Sequence, residues 1–110
     1  MTNLFTYGTL RKGHGNHRLV EDAEFVGEAT IEAIRRGPIQ VVPGDGTVHG
    51  EIYGVDNSTL RRIDHLEGYD PTANNQAGYV RTTVKAKLED GEVIEAEVYY
   101  FHHRPVEPSR

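Results

Sequence analysis

Tyr79 to Leu88 and Glu92 to Phe101 alternate apolar and polar residues with a period of two, and Glu89-Asp90-Gly91-Glu92 joins them through an Asp-Gly turn signal. Such a pattern commits this part of the chain to an antiparallel hairpin with one buried face. Val80, Thr82, Val84, Ala86 and Leu88 share that face, opposite Ile94, Ala96, Val98 and Tyr100. A second stretch, Glu24 to Val42, repeats apolar residues mostly at strand spacing, with breaks at Gly27 and Gly37-Pro38. Pro43-Gly44-Asp45-Gly46 reads as a turn, and Val48 to Val55 as a further strand in which Gly50 and Gly54 supply the bending a closed wall requires. Leu4 to Tyr7 is a short buried strand stopped by Gly8.

Two short helices complete the reading. His17 to Ala23 forms the first after a Gly-rich loop. The second has clear boundaries. Asn57 or Ser58 caps its start, Leu60, Ile63 and Leu66 form its apolar stripe, and Gly68 suits the left-handed position just past its end. The expected fold is α+β: a small mixed, mostly antiparallel sheet curling toward a barrel, which removes its edges. No repeat or linker divides the 110 residues, so residues 1–104 are expected to form a single domain and 105–110, with Pro105 and Pro108 close by, a frayed tail.

Composition excludes several function classes. The chain has no Cys, hence neither a disulfide scaffold nor a thiolate nucleophile. Net charge is −5 with Lys and Arg scattered, which lacks the footprint of a nucleic-acid binder. No apolar run approaches the ~20 residues that cross a bilayer, and no leader pattern opens the chain, so a cytoplasmic protein is expected. His14 and His17 flank a loop, but no third ligand has recognisable spacing, and no metal is expected.

Two places carry chemistry. Tyr7-Gly8-Thr9-Leu10 lets the backbone turn tightly after a strand, where successive N–H groups can hold a carboxylate or an oxyanion. A plain strand-to-loop turn has the same sequence. Glu67 stands in the last turn of the second helix, at the negative end of its dipole, beside the apolar stripe and three residues after Asp64. Burial, dipole and like charge all favour its protonated form, which suits a general base that later acts as general acid. An ordinary exposed glutamate would read identically. A glycosidase-type pairing of Asp64 with Glu67 is disfavoured, because one helical turn leaves no room for a sugar bond between the carboxyls.

Phe5-Thr6-Tyr7-Gly8-Thr9-Leu10-Arg11, the Val26-Gly27 strand, Val48-His49-Gly50-Glu51-Ile52-Tyr53, Ile63-Asp64-His65-Leu66-Glu67-Gly68-Tyr69 and Tyr79-Val80-Arg81 occur in an order that resembles the gamma-glutamylcyclotransferase-like, or AIG2-like, family. The resemblance implies a cofactor-independent enzyme in which the α-amine of a γ-glutamyl group attacks its own γ-carbonyl, giving 5-oxoproline and a released amine. It implies Glu67 as the catalytic acid and base, the N–H groups of Gly8, Thr9 and Leu10 as substrate holders with Tyr7 beside them, and Tyr79 lining the pocket. The segment Pro38-Ile39-Gln40-Val41-Val42-Pro43-Gly44 departs from the aromatic-proline segment usual in relatives, leaving the released amine open. A module that keeps the pocket but binds without catalysis is the alternative. A small-molecule γ-glutamyl substrate is the expected partner, with no nucleic acid, no membrane, and a monomeric or small homodimeric state.

Overall fold

The computed structural model describes residues 1–8, 10–37, 40–70, 72 and 78–102. Five strands and one α-helix follow in the order β1 (Thr2–Thr6), β2 (Glu24–Arg35), β3 (Val41–Val55), α1 (Asn57–Glu67), β4 (Gly78–Leu88) and β5 (Val93–His102). The strands close into a barrel in the order β1-β3-β2-β4-β5. Every pairing is antiparallel except the one that shuts the barrel, a parallel contact of Leu4 with Glu97. Asn3 Nδ2 supports that seam by donating to the Glu95 carbonyl at 3.2 Å.

The hairpin expected from the alternation forms with the expected cross-strand partners, Val80 with Tyr100, Thr82 with Val98 and Val84 with Ala96. Its turn is a residue longer than a two-residue Asp-Gly loop. Gly91 N donates to the Leu88 carbonyl at 2.9 Å, Gly91 takes φ +92°, and Leu88 N then pairs with the Glu92 carbonyl.

Two apolar layers use opposite faces of the same strands. Phe5, Tyr7, Ala29, Ile31, Ala33, Val41, Val48, Ile52, Ala86, Ala96, Val98 and Tyr100 fill the barrel, where small alanines make room for the aromatics. Leu4, Tyr53, Val55 and Tyr99 face outward and are covered by Leu60 and Ile63 of α1 and by Leu10 and Val20 of the segment after β1. Burial on both sides explains why Leu4-Phe5-Thr6-Tyr7 lacks the polar alternation of the hairpin.

Several expectations need correction. The cap of α1 is neither Asn57 nor Ser58 but Asp56, extended at φ −83°, whose Oδ1 accepts from Thr59 N at 2.7 Å. The far end is as expected: Gly68 takes φ +71°, its N–H reaches the His65 carbonyl, and Tyr69 N reaches the Asp64 carbonyl. The buried stripe is Leu60, Ile63 and Asp64, while Leu66 is 45% exposed. At 3.6 residues per turn the row continues from Leu60 through Ile63 and Asp64 to Glu67, which leaves Leu66 at its edge.

His17 to Ala23 shortens to a 3-10 turn over His17–Leu19, because its backbone bonds (Val20 N to the His17 carbonyl, Ala23 N to that of Val20) step by three residues. Pro43-Gly44-Asp45-Gly46 is part of β3 rather than a turn between strands. Thr47 pairs with Glu32 and Val42 with Ile34, so Ala33 alone faces the four residues between. A Cβ on Gly46 would lie 2.7 Å from the Ala33 carbonyl oxygen, which accounts for glycine there. Pro38, Ile39, most of the loop between Asp70 and Gly78, and the expected tail lie outside the described residues. No helix among the described residues is long and apolar enough to cross a membrane.

Candidate active site

Where β1 runs out and α1 ends, the two motifs meet. Phe5, Thr6, Tyr7, Gly8, Leu10, Asn16, Leu66, Glu67, Tyr79 and Tyr99 line one cavity of about 250 Å3. Of the residues expected at a site, Tyr7, Gly8, Leu10, Glu67 and Tyr79 are therefore brought together; Thr9 lies outside the described residues. A larger groove of about 440 Å3 crosses the outer barrel wall past Glu28, Thr30, His49 and Lys87. It holds neither Glu67 nor the tyrosines.

Glu67 reaches the cavity because the stripe that buries Leu60 and Ile63 passes through it one turn later, just before the chain turns away at Gly68. Its carboxyl is partly buried, and burial raises its pKa above the ordinary value. The expected contribution of Asp64 is not found. Asp64 does not line the cavity; Arg81 Nη1 donates to its two oxygens at 2.7 and 2.6 Å and the Tyr99 hydroxyl donates to Oδ1. Its charge is matched locally.

Opposite Glu67, Tyr7 is buried, and its hydroxyl donates to the Tyr99 carbonyl. Burial pushes its phenol well up, with Tyr79, then Glu67, adding to the effect and Arg35 opposing it. Arg35 Nη2 also donates to the Tyr7 carbonyl at 3.1 Å, with its guanidinium 5.6 Å from the ring centre. Tyr79 is raised as well, by burial and then by Glu67. Both phenols stay protonated at neutral pH, which leaves Glu67 as the group of this trio able to exchange a proton there.

Gly8 lines the cavity with ordinary backbone geometry, and a Cβ placed on it would meet nothing within 4 Å. Neither packing nor φ calls for glycine. The open backbone leaves room for a ligand to approach closely. Gly8 is steadied by its carbonyl, which accepts from Arg11 N at 3.1 Å and Arg11 Nε at 3.2 Å. The loop beyond is tied to β3 by Glu51, whose Oε1 accepts from Lys12 N and from the Tyr53 hydroxyl, both at 2.9 Å. His17 Nδ1 bonds the Leu10 carbonyl at 3.0 Å.

Sequence reasoning did not single out Tyr99 or Asn16 as cavity residues. The signal for Tyr99 was present: in Tyr99-Tyr100-Phe101 an aromatic occupies the outward phase of the strand, as in a strand buried on both faces. Asn16 gave none. Among the described residues no three His, Cys, Asp or Glu side chains stand close enough to hold a metal.

A family model described as "Gamma-glutamyl cyclotransferase, AIG2-like" matches residues 4–110. The chain is 33% identical over 108 residues to a protein of Methanocaldococcus jannaschii provisionally named a gamma-glutamylcyclotransferase, covering 92% of this chain and 85% of that one. It is 40% identical over 74 residues to the gamma-L-glutamyl-butirosin B gamma-glutamyl cyclotransferase of Niallia circulans, covering 63% of this chain and 47% of that protein. Among solved structures, a gamma-glutamyl cyclotransferase superposes with a TM-score of 0.68 at 20% identity, covering 94% of this chain and 68% of that one. At that identity the likeness is one of fold.

Proposed function

Since this chain belongs to the gamma-glutamyl cyclotransferase, AIG2-like family, we propose that it cyclises a γ-glutamyl group to 5-oxoproline and releases an amine. One observation carries the reading: a partly buried glutamate with a raised pKa shares a small cavity with a glycine turn that needs no glycine for its own packing.

In this reaction the nucleophile belongs to the substrate. Glu67 takes a proton from the substrate's α-ammonium, and the freed amine attacks the γ-carbonyl carbon. A new C–N bond closes the five-membered ring while charge gathers on the carbonyl oxygen. The backbone around Gly8 and Leu10 holds the substrate's carboxylate or that oxygen, and Tyr7 and Tyr79 wall the site. The amide C–N bond then breaks as Glu67 returns the proton to the leaving nitrogen, and the ring nitrogen gives its second proton to the released amine, which departs as an ammonium. Intramolecular attack already has its reactants together, so the side chains are asked for orientation, charge stabilisation and one shuttled proton. No nucleophilic side chain is required. The Niallia circulans relative is named for gamma-L-glutamyl-butirosin B, which adds a compound of that kind to the candidate substrates. We place the enzyme in the cytoplasm, as a monomer or small homodimer.

The test is 5-oxoproline release from a panel of γ-glutamyl amino acids, peptides and amines, with wild type beside Glu67→Gln. Wild type is expected to turn over at least one compound and Glu67→Gln to lose roughly a hundredfold to ten-thousandfold in kcat. Equal turnover by the variant overturns the role of Glu67. Binding without release from any compound would replace the enzyme with a non-catalytic binding module.

A further inference from the structure

Asp64 is the most buried carboxylate among the described residues, 5% exposed, and the proton transfers above do not use it. It stands one helical turn before Glu67, on the same buried row of α1. Three hydrogen bonds reach it from the barrel, one from the Tyr99 hydroxyl of β5 and two from Arg81 Nη1 of β4. Arg81 is fixed in turn, its Nε donating to Glu97 Oε1 at 3.2 Å and its guanidinium lying 5.4 Å from the Tyr69 ring centre. Thr83 donates to the other oxygen of Glu97.

Tyr99 has a second attachment. Its backbone carbonyl accepts the Tyr7 hydroxyl, so one residue is bonded both to the helix of Glu67 and to the strand that leads into Gly8. These bonds join one wall of the cavity to the other. A cyclisation that depends on geometry needs those walls at a set separation, since a displacement of about 1 Å can cost a hundredfold in rate.

We propose that Asp64 and Tyr99 are positioning residues, a clasp that holds the Glu67 helix at a set distance from the Tyr7 wall. The proposal rests on the cyclotransferase reading for its catalytic consequence, though not for the clasp itself. It differs from an electrostatic role for Asp64, because the charge of that carboxylate is matched by Arg81. Among the described residues, the groups that face Glu67 are the phenols of Tyr7, just after β1, and Tyr79 on β4, with Arg35 of β2 behind Tyr7.

Tyr99→Phe removes one hydroxyl while keeping the ring, the Tyr7 bond and the Asp64–Arg81 pair. Asp64→Asn removes the charge at nearly constant shape. Tyr99→Phe is expected to lower kcat about tenfold with KM within about twofold, and Asp64→Asn to lower it further, toward a hundredfold. The double variant should fall no lower than Asp64→Asn, since both changes open one clasp. The acidic limb of the kcat–pH profile should stay in place. Wild-type kcat in Tyr99→Phe overturns the proposal, as does a displaced limb in Asp64→Asn, which would mean that Asp64 acts on Glu67 by charge. If Asp64→Asn does not fold, Tyr99→Phe alone decides.

Amide hydrogen exchange separates this proposal from the functional one. If wild type turns over no γ-glutamyl compound, the cyclotransferase reading fails, and exchange is read by itself. Faster exchange of residues 63–68 in Tyr99→Phe, with the hairpin unchanged, supports the clasp; unchanged exchange there overturns it.

Discussion

A half-buried carboxyl is an expense to the fold at neutral pH. For Glu67 the folded state raises the pKa above the ordinary 4.5, and burial is the cause. Between 4.5 and the raised value the folded chain holds more protons than the unfolded one, so stability must fall as pH rises through that window. The contribution is fully present below 4.5 and is lost above the folded pKa. Glu67→Gln has no charge to bury. Its melting temperature should exceed that of wild type near neutral pH, and the difference should close as pH drops below 4.5, as read by circular dichroism melts across pH. An unchanged difference across the range would mean that Glu67 is effectively solvated. Glu67 could be singled out from its place near Gly68, and burial was one of the three causes expected, but the sequence could not show that burial is the one that acts and Asp64 is not. The sequence puts Asp64 three residues away, and only the fold shows that Arg81 and Tyr99 take its charge elsewhere.

At the level of elements, the β1–β3 pair sets where the glycine turn begins. Phe5 pairs with Ile52 and Thr6 with Glu51, and Thr6 Oγ1 donates to the Glu51 carbonyl at 3.0 Å. Gly50 lies at the end of that ladder. A Cβ there would run into the Thr6 carbonyl oxygen and stand 2.7 Å from Phe5 Cζ. Gly50→Ala should therefore push β1 away from β3 and cost roughly 1–3 kcal/mol in urea unfolding, with the cost carried by backbone that cannot rotate aside. Stability equal to wild type would show that the strands absorb a methyl. The sequence marked Gly50 as a place for bending; the structure gives the sharper reason, close approach of a neighbouring strand. In the same way Leu60 and Ile63 were legible as a buried stripe, whereas the capping role of Asp56 was equally open to its neighbours Asn57 and Ser58.

For the whole molecule, closure is the demanding step. The seam joins β1 to β5, and the Tyr7–Tyr99 bond beside it links residues 92 apart in sequence. Non-local closure is slow, so folding is expected in roughly milliseconds to seconds rather than microseconds. Stopped-flow refolding can be followed by the fluorescence of the six tyrosines, free of tryptophan background. A microsecond phase carrying the full amplitude would count against late closure.

What the sequence determined by itself is what neighbours along the chain decide. Period-two alternation fixes the faces of β4 and β5, Gly91 and Gly68 mark turns that need positive φ, and a 3.6-residue stripe delivers Glu67 to the end of a helix. The ordered motifs around Tyr7 and Glu67 also pointed to the family. Tertiary structure decided the rest: the parallel seam of the barrel, the passage of Pro43 to Gly46 through β3, the covering of Tyr99 by α1, and the pairing of Asp64 with Arg81. Each depends on atoms contributed by residues distant in the chain, and the free energy of burying a strand's second face or a carboxylate is set by those atoms rather than by local preference.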